Sequence, residues 1–266
     1  MTATVTSRDG TSLAYDRRGD GPAVVLVSAA LNLRGSGTGL ATSLAARGFT
    51  TIAYDRRARG ESGDAAPLAE WDPRREVEDL EAILGLVGGR AAVFGWSSGA
   101  QLCLYAATAG LDVTHLALFE IPLPQEPDDG GAEQRELRRL VVAGDHGGAV
   151  ERYMKDMPRE WLEGAKAGPY WAAMTAMAPS LGYDLAVVNW SQSAPPEQLF
   201  GGIRQPTLVM SGENPLPLFT AAAETLERTM PAARARTVKG ANHGWDDAAM
   251  TEALVELVNP TRTSTR

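Results

Sequence analysis

Gly95-Trp96-Ser97-Ser98-Gly99 follows the apolar run 91–94 and leads into a helical pattern at 100–109. Glycines on both flanks permit a strained strand-to-helix turn that pushes the central serine into the open and lets neighbouring backbone approach it. A serine hydroxyl is a weak nucleophile at neutral pH and needs an imidazole to remove its proton. Three histidines are available. His115 precedes an apolar run and reads as a loop residue, and His146 lies in the turn-like Asp145-His146-Gly147-Gly148. His243 follows a run ending at Val238 and stands just before a closing helical pattern. Ser97 and His243 are therefore the candidates for nucleophilic acyl chemistry. The N–H of Ser98 is a donor for the developing oxyanion simply by following the nucleophile.

Those residues need a scaffold. Alternating segments around 4–7 and 13–15, separated by Asp9-Gly10, predict an opening hairpin. Runs 23–27, 51–54 and 91–94 lack polar alternation, as suits strands buried on both faces of a parallel sheet, and helical stretches at 39–47 and 73–87 alternate with them. The strand signal recurs at 116–119, 207–210 and 235–238, with helices at 219–229 and 246–258. The fold class is α/β. Between 122 and 200 the pattern changes to helical, Met- and Trp-containing segments, so 1–121 and 201–266 read as a core domain and 122–200 as a helical insertion, a cap folded over the sheet's ligand-binding edge on one account and a separately docked helical domain on the other. The last residues read as a frayed polar tail.

The chain resembles the α/β-hydrolase family along nearly all of its length. Its 95–99 motif resembles that family's nucleophile elbow, residues 23–30 resemble the strand and loop that supply half of the oxyanion hole, and Tyr54-Asp55-Arg56-Arg57-Ala58-Arg59-Gly60-Glu61-Ser62-Gly63 resembles its sharp D-x-R-G-x-G-x-S turn. The resemblance implies a mostly parallel eight-stranded sheet, a cap after the sixth strand, the triad order nucleophile, acid, histidine, and His243 as the base. Ala30 is then the second oxyanion donor, although Ser28-Ala29-Ala30 departs from the family's His-Gly pattern. The acid departs as well. Where the family often carries aspartate after the seventh strand, this chain reads Ser211-Gly212-Glu213-Asn214-Pro215. A variant arrangement of the family puts the acid after the sixth strand, where Glu120 ends an apolar run. A charge there is costly unless paired or functional, which favours Glu120 over Glu213.

Trp161, Tyr170, Trp171, Met174, Met177 and Trp190 concentrate aromatic and sulfur side chains in the insertion, and an apolar pocket roof is one use for them. Trp161, Tyr170 and Trp171, with Trp96 beside the nucleophile, are the candidate substrate-binding residues. The expected function is a cofactor-independent serine hydrolase acting on an apolar ester, thioester, lactone or related acyl compound. A non-hydrolytic lyase or cyclase on the same fold, or a ligand-binding protein without turnover, are the alternatives. No phosphate loop, metal-ligand cluster or dinucleotide fingerprint is present, so the expected cofactor and metal are none. A net charge of -8 argues against nucleic acid or an anionic membrane as partner, and the Arg17-Arg18 and Arg56-Arg57 pairs, set among acids, read as solvated surface. Cys103 is the sole cysteine, which excludes an intrachain disulfide. The amino terminus has no basic stretch followed by an apolar one, so a cytoplasmic protein is expected, acting on a small apolar molecule as a monomer or homodimer.

Overall fold

In the computed structural model, which describes residues 2–65, 71–124 and 131–259, the opening alternation forms a hairpin of β1 (Ala3–Thr6) and β2 (Ser12–Arg18). The continuous apolar runs form β3 (Ala23–Val27), β4 (Thr50–Tyr54), β5 (Ala91–Trp96), β6 (Val113–Phe119) and β7 (Thr207–Ser211). The last strand, β8 (Ala233–Thr237), starts two residues before the stretch read from the sequence. Exposed Arg234 and Arg236 disguise it, as charges on an edge strand do. One eight-stranded sheet results, in the order β1-β2-β4-β3-β5-β6-β7-β8. β2 runs antiparallel to its neighbours, and every pair from β4 to β8 is parallel. The tail from 260 onward lies outside the described residues.

Helices α1 (Thr38–Ala46), α2 (Arg74–Gly85) and α3 (Ser98–Thr108) alternate with the strands. Between β6 and β7 run α4 (Ala132–Val142), α5 (His146–Tyr153), α6 (Arg159–Ala167), α7 (Trp171–Ala176), α8 (Leu181–Ser191) and α9 (Pro196–Phe200). Then come α10 (Pro217–Thr229) and α11 (Asp247–Val258). Successive strand residues point to opposite faces, and the core divides accordingly. Val25 and Val27 pack with Leu80, Leu102 and Leu226 of α2, α3 and α10, while Val24 and Leu26 pack with Leu40 of α1 and Leu254 of α11. Each such side chain stabilises the fold by about 1.5–3 kcal/mol relative to its exposed state. A smaller cluster of Leu137, Val141, Val150 and Leu181 joins α4, α5 and α8, and Ala30 and Leu31 rest against it.

Strand β3 lies between β4 and β5, so the chain leaves it in one direction and later returns on its other side. Such a reversal opens a crevice at the carboxyl ends of the strands. The loop after β3 and the turn after β5 border it.

The Arg56-Arg57 pair is not solvated surface. Arg56 is 1% exposed and Arg57 fully enclosed. Arg57 forks onto Asp79 of α2 at 2.7 and 2.6 Å and reaches Asp9 at 3.0 Å, fastening the loop after β4 to its neighbours. Among the described residues no helix is long and apolar enough to cross a membrane.

Candidate active site

Ser97 caps α3 with φ 52° and ψ -126°, a left-handed conformation disfavoured for any residue but glycine. Its flanking glycines are required by contact. A Cβ on Gly95 would lie 2.5 Å from the Gly99 carbonyl oxygen, and one on Gly99 would lie 2.2 Å from that of Val27. Backbone cannot yield there as a flexible side chain would. Gly99→Ala is therefore expected to destabilise the fold by about 1–3 kcal/mol, read as a lower urea midpoint, and to lower activity with it.

Glu120 follows β6 and His243 lies in the loop before α11; both adopt positive φ, 44° and 61°. The Glu120 carboxylate is 3% exposed. One oxygen accepts the Gly212 N–H at 3.0 Å, and the other pairs with His243 Nδ1. Phe219 of α10 lies nearly parallel to the imidazole, with centroids 5.0 Å apart, and Trp161 of α6 stacks at 5.5 Å. Glu213 is exposed and turned elsewhere, with its N–H and carboxylate both directed to Gly240. His115 lies on β6 beside Thr114, and His146 opens α5; neither lines the cavity containing Ser97. Burial pushes the Cys103 thiol up, leaving it no nucleophile at neutral pH.

The loop after β3 is pinned at three successive carbonyls. Arg56 Nη1 donates to the Ser28 oxygen at 3.0 Å, Arg59 Nη1 to the Ala29 oxygen at 2.7 Å, and Asn32 Nδ2 to the Ala30 oxygen at 2.9 Å. A peptide unit is planar and trans, so holding its carbonyl fixes the opposite direction of the following N–H. The Ala30 N–H is thereby directed onto Ser98 Oγ at 2.7 Å. The donor that the sequence assigned to Ala30 is thus already engaged. Leu31, the next residue, has φ 57° and lines the cavity, and among the described residues no acceptor takes its N–H. The Ser98 N–H at the start of α3 is free in the same sense.

A cavity of about 660 Å³ opens at this edge of the sheet. Ser97 and His243 both line it, without a direct hydrogen bond between them. Trp161 and Tyr170 line it too, but Trp96 and Trp171 do not. Trp96 is 5% exposed and packs against Phe94 and Trp245 in the core beneath α11, because its side chain leaves β5 on the α1 and α11 face. Trp171 packs against the small cluster of α4, α5 and α8, with Lys166 over its ring. Sequence reading missed Leu31, Tyr153, Met157 and Phe219 as lining residues. The i, i+4 spacing of Tyr153, Met157 and Trp161 was the available signal, broken by the helix boundary at Pro158.

The chain matches the model of the alpha/beta hydrolase family over residues 24–257. Among solved structures it is similar to an alpha/beta hydrolase from Sphaerobacter thermophilus DSM 20745, at 41% identity and TM-score 0.86, covering 96% of this chain and 99% of that one. An esterase from Exiguobacterium antarcticum shares the fold at 18% identity and TM-score 0.68, covering 96% and 98%. An enol-lactonase from Burkholderia xenovorans LB400 does so at 18% identity and TM-score 0.71, covering 96% and 99%. Among curated proteins no match to the chain is found.

Proposed function

The chain belongs to the alpha/beta hydrolase family, and on that premise we propose that it is a serine hydrolase of apolar acyl compounds, with Ser97 as nucleophile, His243 as base and Glu120 as the acid that orients it. One observation carries this reading. Ser97 and His243, contributed by turns far apart in sequence, border a single cavity, the buried Glu120 holds the imidazole from behind, and all three residues have positive φ. Strained backbone persists only where the surroundings over-determine it, and it gathers at functional sites.

Ser97 Oγ attacks the acyl carbon while its proton passes to His243 Nε2, and Glu120 holds Nδ1–H and stabilises the imidazolium. The negative charge on the former carbonyl oxygen is met by the N–H groups of Ser98 and Leu31 rather than of Ala30. Collapse breaks the bond to the alkoxide or thiolate, which leaves with the proton from His243. Water, deprotonated by His243, then releases the acid from Ser97. Residues 122–200 serve as the cap, and Leu31, Met157, Trp161, Tyr170 and Phe219 make an apolar seat for the acyl group. An uncharged acyl chain fits this lining; a free carboxylate would be desolvated there without a partner.

The deciding test is a fluorophosphonate probe, which forms a bond with an activated serine only where an oxyanion hole works. Labelling at Ser97 is expected. An unlabelled chain that binds acyl compounds without consuming them would instead favour a ligand-binding protein. The base makes a separate prediction: His243→Ala removes most of the turnover at an unchanged melting temperature, read by steady-state kinetics on one ester. A variant that kept its turnover would move the base elsewhere.

A further inference from the structure

Two fully buried guanidinium groups lie directly behind the loop after β3, and the acyl mechanism leaves them without a role. Arg56 and Arg59 are each 1% exposed, and they share the enclosed Asp184 of α8. Arg56 reaches one Asp184 oxygen at 2.8 Å and Arg59 the other at 2.7 Å. Arg56 also forks onto Glu76 of α2 at 2.6 and 2.5 Å, so two cations face two carboxylates and the cluster is neutral. Burial opposes each charge, and the opposite charges around Arg56 and Asp184 more than compensate, holding the guanidinium well above its ordinary range and the carboxyl below its own.

What the cluster grips is specific. Arg56 takes the Ser28 carbonyl and lies 3.3 Å from Ser98 Oγ, the atom that receives the Ala30 N–H. Arg59 takes the Ala29 carbonyl and, at 3.0 Å, Ser180 Oγ just before α8. Two peptide planes of the loop are therefore fixed from behind by groups whose own position depends on α8, an element of the inserted segment.

We propose that Arg56, Arg59 and Asp184 are positioning residues that lock the loop Ser28–Leu31 in its oxyanion-binding form and make that form conditional on the docking of α8. Packing alone would not choose this solution. A buried ion cluster is seldom more stabilising than apolar side chains of the same volume, whereas a planar fork can fix the direction of a carbonyl and an aliphatic side chain cannot. The inference rests on the acyl-transfer reading above, and the two are separable by experiment.

The test compares wild type with Arg59→Met/Asp184→Leu and with Arg59→Lys. The double variant removes one charge of each sign and leaves Arg56 paired with Glu76; the Lys variant keeps the charge but loses the fork. Four quantities are measured: the rate constant for fluorophosphonate labelling, kcat and KM on p-nitrophenyl butyrate, and the melting temperature. Both variants are expected to label and turn over about 10- to 100-fold more slowly, since small misplacements of catalytic groups cost that much. KM should change less than about threefold, and the double variant should melt near wild type, as apolar replacements of buried ion pairs do. A merely structural cluster would lower the melting temperature and leave the labelling rate of the folded fraction unchanged, and that result overturns the proposal. Wild type that is neither labelled nor active on any acyl ester overturns the underlying reading instead. Should the double variant not fold, Arg59→Lys carries the decision on the same criteria.

Discussion

Ser97→Ala is expected to lower turnover of an acyl ester by about 10³-fold or more while leaving the melting temperature close to that of wild type. The size follows from what remains. Without the hydroxyl no acyl-enzyme forms, yet the cavity still binds the ester, His243 can still assist a water, and the Ser98 N–H still stands at the start of α3. A residual rate above that of water is accordingly expected, and KM should move little. Stability should hold because Ser97 makes no side-chain cap to α3, and alanine meets the same positive φ at about the same cost as serine. Steady-state kinetics on one ester, with thermal melting as the folding control, checks it. Wild-type turnover by the variant would strip Ser97 of the nucleophile role and leave a reaction that depends on pocket shape alone.

The parts legible in the sequence were those in which one stretch of chain carries its own geometric reason. Gly95 is such a residue, because a Cβ there would meet the Gly99 carbonyl oxygen of the same turn at 2.5 Å. The strands were legible for the same reason, since burial on both faces demands an unbroken apolar run. Long-range pairing leaves no local mark. Arg56-Arg57 among acids reads identically on a wet surface and in a closed cluster, and the difference lies with Asp79 and Asp184, which are remote in sequence. Trp96 was misplaced by its neighbourhood: adjacency to Ser97 places it near the site along the chain, but successive residues of a strand face opposite ways. In the insertion the helices are short, α7 having six residues, so periodicity could not say which of Trp161 and Trp171 turns inward. The engagement of the Ala30 N–H was equally hidden, because it depends on where Arg59 puts a carbonyl.

Glu120→Gln is expected to cut kcat by about 10³- to 10⁴-fold with the fold intact, and Glu213→Gln to change it less than about threefold. The structure gives the first number a mechanism beyond loss of charge. One Glu120 oxygen accepts the Gly212 N–H at 3.0 Å, and in the glutamine variant the amide oxygen must keep that place, because an NH₂ group there would meet a donor. The amide NH₂ is then forced toward His243 Nδ1, the atom that the carboxylate now holds. An imidazole accepting a hydrogen bond at Nδ1 carries its proton on Nε2, so the nitrogen needed by Ser97 is already occupied. The variant therefore fixes the wrong tautomer as well as losing the charge that steadies the imidazolium. Glu213 has no such grip on the ring, since its contacts end at Gly240. Both variants should be compared on one ester, with melting temperatures alongside. The acid role passes to the loop after β7 if Glu213→Gln shows the larger loss at an unchanged melting temperature.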